Sequence, residues 1–176
     1  MPSNSPQEWH RIVAENQKKP QFGLAETIRC LESNCKDSTS VELTGWTHVV
    51  PRLLADSLRH NHHLQRLSLQ ACRLGNEGLE MLCPVLLQGN PPLRHVNLSG
   101  NGITDAGAVA LAQAIEYHPT LRELLLGWNG IADIGTTALA QAVTKSRLQI
   151  LDLAGVSEGR GGGSRDTFLL TDQLQH

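Results

Sequence analysis

Two stretches decide the fold: Leu93–Ala114, LRHVNLSGNGITDAGAVALAQA, and Leu121–Ala142, LRELLLGWNGIADIGTTALAQA. Laid over each other they share a Leu-x-x-Leu/Val-x-Leu start, a later Asn, a small-residue helix opening and the closing Leu-Ala-Gln-Ala. The start recurs outward in both directions. Leu64, Leu67 and Leu69 form the copy before it, and Leu148, Leu151 and Leu153 the copy after. The successive copies therefore begin at Leu64, Leu93, Leu121 and Leu148. So even a spacing, kept over four units and of this length, is the signature of a leucine-rich solenoid.

The register extends into columns. Cys72, Asn101 and Asn129 fill one; Leu74, Ile103 and Ile131 the next; then Asn76, Asp105 and Asp133; then Gly78, Gly107 and Gly135. Later come Leu82, Leu111 and Leu139, then Cys83, Ala112 and Ala140, then Leu86, Ile115 and Val143. Each column has a physical reading. Leu-x-Leu is a short strand with its leucines turned to the core. An inward Asn or Cys at the turn can bond the backbone of adjacent coils. Asn76, Asp105 and Asp133 are residue types that suit helix N-caps. The glycines allow close approach between coils or between helix and strand. Apolar residues three and four apart then predict an amphipathic helix that packs on the strand. A single unit cannot bury its apolar face, so the units stack.

The columns resemble the ribonuclease-inhibitor-type leucine-rich repeats, in which a Cys-type unit alternates with an Asn-type unit shorter by one position. The Cys72 unit, Leu64 to Leu93, is likewise one position longer than the Asn101 unit, Leu93 to Leu121. The resemblance runs from about Thr39 to Leu153. It implies an α/β fold: a short right-handed leucine-rich-repeat solenoid with parallel inner strands and outer helices. The same repeat type occurs in sensing domains of NOD-like receptors, in GTPase-activating proteins for Ran, and in centrosomal and ciliary proteins. It therefore implies a non-enzymatic protein-interaction module, with a small-GTPase regulator or a centrosomal or ciliary scaffold as alternatives. The repeat type carries fold and not function.

Three parts are expected: an N-terminal helical cap over 1–37, repeats over 38–156, and a flexible Gly-rich tail over 157–176. In the cap, Ser5-Pro6-Gln7-Glu8 reads as a capping box, and Leu24, Ile28 and Leu31 predict a second helix. Val41, Leu43, Leu54, Ala55 and Leu58 form a degenerate first unit in which Trp46 takes the polar place and Pro51 starts the helix. After Leu153 the register fails. Val156 occupies the polar place, and Ser157–Ser164 has linker composition. The last strand is thus expected to be an uncovered edge, and the chain to be a truncated or alternatively ended form of a longer repeat protein.

The composition sets limits. The chain has 176 residues, 40% apolar and 18% charged, with a net charge of −2. That is too apolar for disorder and offers no net basic field for nucleic acid. No apolar run approaches the ~18–20 residues of a membrane span. The N-terminus does not read as a secretory signal, which implies free thiols and a cytoplasmic location, with the nucleus or centrosome as further sites.

No residue set calls for a cofactor or metal. Cys30 and Cys35 are two ligands without a second pair. His60, His62 and His63 lie in a connection that brings neither carboxylate nor thiol. Cys72 and Cys83 fill repeat columns and lack a basic partner. Asn97-Leu98-Ser99 matches a glycosylation sequon within a predicted strand. What remains is the outward face of the strands. Arg66, His95, Asn97, Glu123, Leu125 and Asp152 should project there, with Trp128 at the following turn, where other units hold Ala71, Gly100 and Gly155. A large apolar group on a solenoid's inner face is an interface candidate. The competing reading is that Leu125 and Trp128 cover the next coil.

Overall fold

A computed structural model describes residues 22–34, 36, 39–45, 51–87, 91–155 and 167–169. Strand and helix alternate: α1 Phe22–Glu32, β1 Ser40–Glu42, α2 Pro51–Arg59, β2 Arg66–Ser68, α3 Gly75–Leu87, β3 His95–Asn97, α4 Asp105–Glu116, β4 Glu123–Leu125, α5 Asp133–Val143, β5 Ile150–Asp152 and β6 Thr167–Leu169. The strands form one sheet in chain order, with β1 to β5 parallel. Val41, Leu67, Val96, Leu124 and Leu151 lie opposite one another, as the repeat spacing predicts. Parallel neighbours need a crossover, and here each crossover is the helix of the unit. Consecutive helices pack side by side, and their buried leucines share one core with those of the strands, on the side of the sheet away from the concave face.

The core is a stack of aliphatic layers. Leu67, Val96, Leu124 and Leu151 are buried from the strands, and Leu82, Leu111 and Leu139 from the helices. Leu74, Ile103 and Ile131 close the turns. The degenerate unit folds with the rest: Val41, Leu43, Leu54, Ala55 and Leu58 are buried, and α2 begins at Pro51. In α1, Ile28 and Leu31 are buried. The capping box at Ser5 and the polar place at Trp46 lie outside the described residues.

Three expectations are corrected. The column Asn76, Asp105 and Asp133 does not cap its own helices. Asp105 and Asp133 are the first helical residues, and the N-cap positions Thr104 and Ala132 make no side-chain cap bond. The column reaches across coils instead. The Asp105 carboxylate accepts the N–H groups of Ala132 and Gly135, both at 2.8 Å. Asn76 accepts the Thr104 N–H at 3.0 Å and donates to the Thr104 hydroxyl at 2.7 Å. Free amides at a helix start need an acceptor, and the preceding coil supplies it. The glycine column makes room for this reach. A Cβ on Gly135 would lie 2.7 Å from Asp105 Oδ1 and 2.8 Å from Ala108 Cβ, and one on Gly107 would lie 2.6 Å from Asn76 Oδ1.

The second correction concerns the last strand, which is not an open edge. Thr167–Leu169 pairs with it antiparallel, setting Phe168 opposite Leu151. Unpaired edge amides and carbonyls favour such an addition. The third concerns Ala140, which is exposed although Cys83 and Ala112 in its column are buried. Among the described residues no helix follows α5 to cover it.

Candidate functional site: the concave sheet face

The turn after each strand is held by a ladder of polar side chains. Asn101 Oδ1 accepts the N–H of Cys72 at 2.9 Å and of Leu74 at 3.3 Å, both in the preceding coil. Its Nδ2 donates to Leu69 O and Leu98 O, each at 2.8 Å. Asn129 repeats the pattern one coil on, accepting from Asn101 N and Ile103 N and donating to Leu98 O and Leu126 O. Cys72 performs the donor half, with its thiol 2.8 Å from Leu43 O. The inward ladder predicted from the Asn/Cys column is therefore present. It fixes the strand ends from which the outward residues project.

Two rows cross the outward face. Strand register sets Arg66, His95, Glu123 and Ile150 side by side, and Ser68, Asn97, Leu125 and Asp152 in the row beyond. Six of the seven predicted site residues thus share one surface. His95 Nδ1 lies 2.6 Å from Glu123 Oε2, a contact between adjacent strands that the repeat offset of 28 could have revealed. Asn97 Oδ1 accepts the Ser99 N–H at 3.0 Å, and Asp152 Oδ1 the Ala154 N–H at 2.9 Å, so both side chains also brace the turns. Between the rows runs a shallow trough of about 170 Å³, with Arg66, His95, Asn97, Glu123 and Leu125 in its lining. That is below the ~300–1,000 Å³ usual for a small-molecule or cofactor site, but it can receive side chains of another protein.

Trp128, the seventh residue, stands at the turn beyond β4. Its φ is +57°, and Ala71, Gly100, Gly155 and Gly45 at the equivalent turns are left-handed as well. That conformation costs a bulky residue about 1–2 kcal/mol. The glycines of this column were the signal that the position is special. The indole rests on the next coil: a Cβ added to Gly155 would lie 2.8 Å from ring atom Cδ2. It nevertheless stays 38% exposed. It thus both covers the next coil and presents apolar surface.

The cysteines and the other histidines lie elsewhere. Burial, with Glu80 nearby, pushes the Cys83 thiol up to about 11. His60 and His62 are exposed; His60 Nδ1 is 3.3 Å from Asp56 O, and the His62 N–H donates to Asn34 Oδ1. Cys30 is half-buried on α1, and Cys35 lies outside the described residues. Sequence reading missed His118. It is buried in the connection before β4, where its Nδ1 accepts the N–H groups of Thr120 and Leu121 at 3.3 and 3.0 Å. Asn61 does the same for His63 and Leu64 two units earlier, so the column Asn61, Asn90 and His118 was the available signal. Burial, then the nearby Arg122 charge, lowers the His118 pKa to about 4.

Comparison with known proteins agrees with this architecture. A leucine-rich-repeat family model matches residues 60–83, 89–112 and 117–140. The Tonsoku-like protein of Danio rerio is 34% identical over 109 residues, which is 60% of this chain and 7% of that protein's length. Two solved structures share the fold. One is the tropomodulin C-terminal domain from Caenorhabditis elegans, with a TM-score of 0.65, 17% identity and coverage of 76% of this chain and 82% of that one. The other is actin-binding site 2 of leiomodin-1, with a TM-score of 0.69, 19% identity and coverage of 79% and 81%.

Proposed function

We propose that this chain, whose repeats match a leucine-rich-repeat family model over residues 60–83, 89–112 and 117–140, is a non-enzymatic protein-interaction module whose concave sheet face and Trp128 edge receive a protein partner. One observation carries the reading. A tryptophan sits in a left-handed turn where the other units place glycine or alanine, and 38% of it is exposed. Strained positions that persist in a well-braced frame mark functional sites, and tryptophan is among the residues most often found at binding hot spots. Leu125 adds apolar area in the same coil. Glu123, held against His95, adds a fixed polar contact that discriminates between partners.

The surroundings favour binding over catalysis. The Cys83 thiol is buried and raised in pKa, the Cys72 thiol is engaged with Leu43 O, and His118 is buried and held neutral. None of them faces the trough, whose own base, His95, is paired with Glu123 and has no thiol in the same lining, whereas nucleophilic catalysis needs a reactive group and its base within hydrogen-bond reach of a substrate. Leiomodin-1's actin-binding site has this fold, so the scaffold is one on which protein binding occurs. The partner of this chain is argued from its own surface.

The test is parallel affinity capture on wild-type and Trp128→Ala protein, quantified by mass spectrometry alongside thermal melts. The variant should melt within a few °C of wild type and retain at most a tenth of the captured partner, equivalent to about 1.4 kcal/mol. Equal capture by a normally folded variant rejects the site. Loss of stability and capture together assigns Trp128 to packing on Gly155.

A further inference from the structure

The edge of the sheet where the strands begin carries a different surface, separate from the trough and from Trp128. The residues before β3 and β4 are Arg94 and Arg122. Backbone bonds lock them onto adjacent coils: Arg94 N–H to Gln65 O at 2.8 Å, Arg122 N–H to Arg94 O at 2.9 Å, and Gln149 N–H to Arg122 O at 2.8 Å. Neighbouring strands lie about 4.8 Å apart, so the two arginines stand side by side. Arg122 Nη1 donates to Leu121 O at 3.0 Å and to Arg147 O at 3.4 Å, which places Arg147 at the same edge. Arg66 continues the line one residue farther onto the face.

This ridge is not neutralised by its neighbours. The flanking positions of the column are the uncharged Gln65 and Gln149. Glu123, the carboxylate next in sequence to Arg122, is engaged with His95 at 2.6 Å, and Glu116 with Lys145 at 2.8 Å. Among the described residues no ion pair joins Arg66, Arg94, Arg122 or Arg147 to a carboxylate. Arg66, Arg94 and Arg147 are exposed. The positive potential is felt beneath the ridge, where Arg122 helps to keep the buried His118 neutral. Like charges set side by side oppose one another, and a chain of net charge −2 has carboxylates enough to offset them. Their segregation leaves this edge positive.

We propose that the ridge of Arg94, Arg122 and Arg147 binds an extended acidic segment of a protein partner, laid across the coils along the edge of the sheet. Guanidinium groups match carboxylates through paired N–H donors, with a directionality that ammonium groups lack. In an extended segment, acidic residues at alternate positions share one side about 6.7 Å apart, within reach of flexible side chains rooted on neighbouring coils. A nucleic acid fits less well. Trp128 follows the opposite end of β4, and exposed Tyr117, five positions before Arg122, is a single ring and not the series of aromatic platforms on which successive bases stack. The net negative charge also repels a long polyanion.

The experiment uses a fluorescein-labelled dodecapeptide of alternating Glu and Ser, with the Gln–Ser dodecapeptide and a single-stranded oligonucleotide of matched charge as comparators. Fluorescence anisotropy should show binding of the acidic peptide that weakens as salt rises, and no binding of the neutral one. Arg94→Gln/Arg147→Gln alters two exposed side chains and should weaken the acidic peptide at least tenfold with an unchanged unfolding midpoint. Arg94→Gln alone carries the readout if the double variant is unstable, with a loss of about threefold (roughly 0.7 kcal/mol). Trp128→Ala should bind the peptide as wild type does, so this result and capture at the concave face can fail independently. Absence of peptide binding, equal binding by a folded arginine variant, or tighter binding of the oligonucleotide overturns the proposal.

Discussion

Replacing Asn101 by alanine removes the centre of the polar ladder. The residue is 1% exposed, so water cannot stand in for what is lost. The Cys72 and Leu74 amides lose their acceptor, and the Leu69 and Leu98 carbonyls lose their donor. A buried polar group left unpaired costs about 1–3 kcal/mol. The Leu74 bond is long at 3.3 Å, and carbonyls tolerate a missing donor better than amides tolerate a missing acceptor. The expected loss is therefore about 3 kcal/mol, the upper end for one unpaired group, carried mainly by the Cys72 amide. Asn101→Cys should cost less, because a thiol can donate inward as Cys72 does to Leu43 O. Urea unfolding gives the free energies, and hydrogen exchange at Cys72 and Leu74 locates them. An alanine variant within about 0.5 kcal/mol of wild type, the margin inside which surface changes usually fall, refutes the reasoning. So does a cysteine variant as unstable as the alanine one.

Further outcomes follow from the same packing. Leu111→Ala should cost about 2–5 kcal/mol by urea unfolding, since Leu111 is fully buried between helix and sheet. Gly135→Ala should cost about 1–3 kcal/mol, because its Cβ meets Asp105 Oδ1, Ile131 Cγ2 and Ala108 Cβ at 2.7 to 2.8 Å. Gly75→Ala, with a φ of +62° and nothing within 4 Å, should cost only the backbone strain of about 1 kcal/mol. His118 sets a pH dependence. Its folded pKa of about 4 lies below the unfolded value near 6.5, so the unfolded chain binds the extra proton. Stability is then complete above pH 6.5 and falls towards pH 4, by about 1–3 kcal/mol. His118→Asn, which copies Asn61, should flatten the thermal-melt profile between pH 6.5 and 5, and an unchanged slope assigns that titration elsewhere.

Much of this architecture is written into the sequence as spacing. Strand register follows from the repeat offsets, because stacked coils place equal columns opposite one another: Val41 meets Leu67, then Val96, Leu124 and Leu151. The ladder was legible for the same reason. What spacing cannot distinguish is a bond within a unit from a bond between units. Asp105 sits where an N-cap would serve α4, yet its carboxylate serves the start of α5 in the next coil. Pairing of β6 with β5 answers an edge in need of partners, which no column of the repeat marks in the sequence. The site was partly legible. The outward columns gave its rows, and their offset could have given the His95–Glu123 contact. The left-handed turn at Trp128 was signalled by the glycines of its column, though Trp128 and Ala71 in the same column are residue types that rarely adopt it. The arginine ridge was missed because Arg147 is out of register with Arg94 and Arg122, and only the folded edge gathers them.

The central claim, that a protein partner docks on the concave face over Trp128, is tested most directly by oxidative footprinting of that residue. Hydroxyl-radical labelling of the free protein should modify Trp128 readily, given its 38% exposure. In the purified complex with the captured partner, its labelling rate should fall at least fivefold, while exposed Tyr117, at the end of α4 and away from the sheet face, keeps its own rate. Trp128 labelling that is the same in the free protein and the complex contradicts the account.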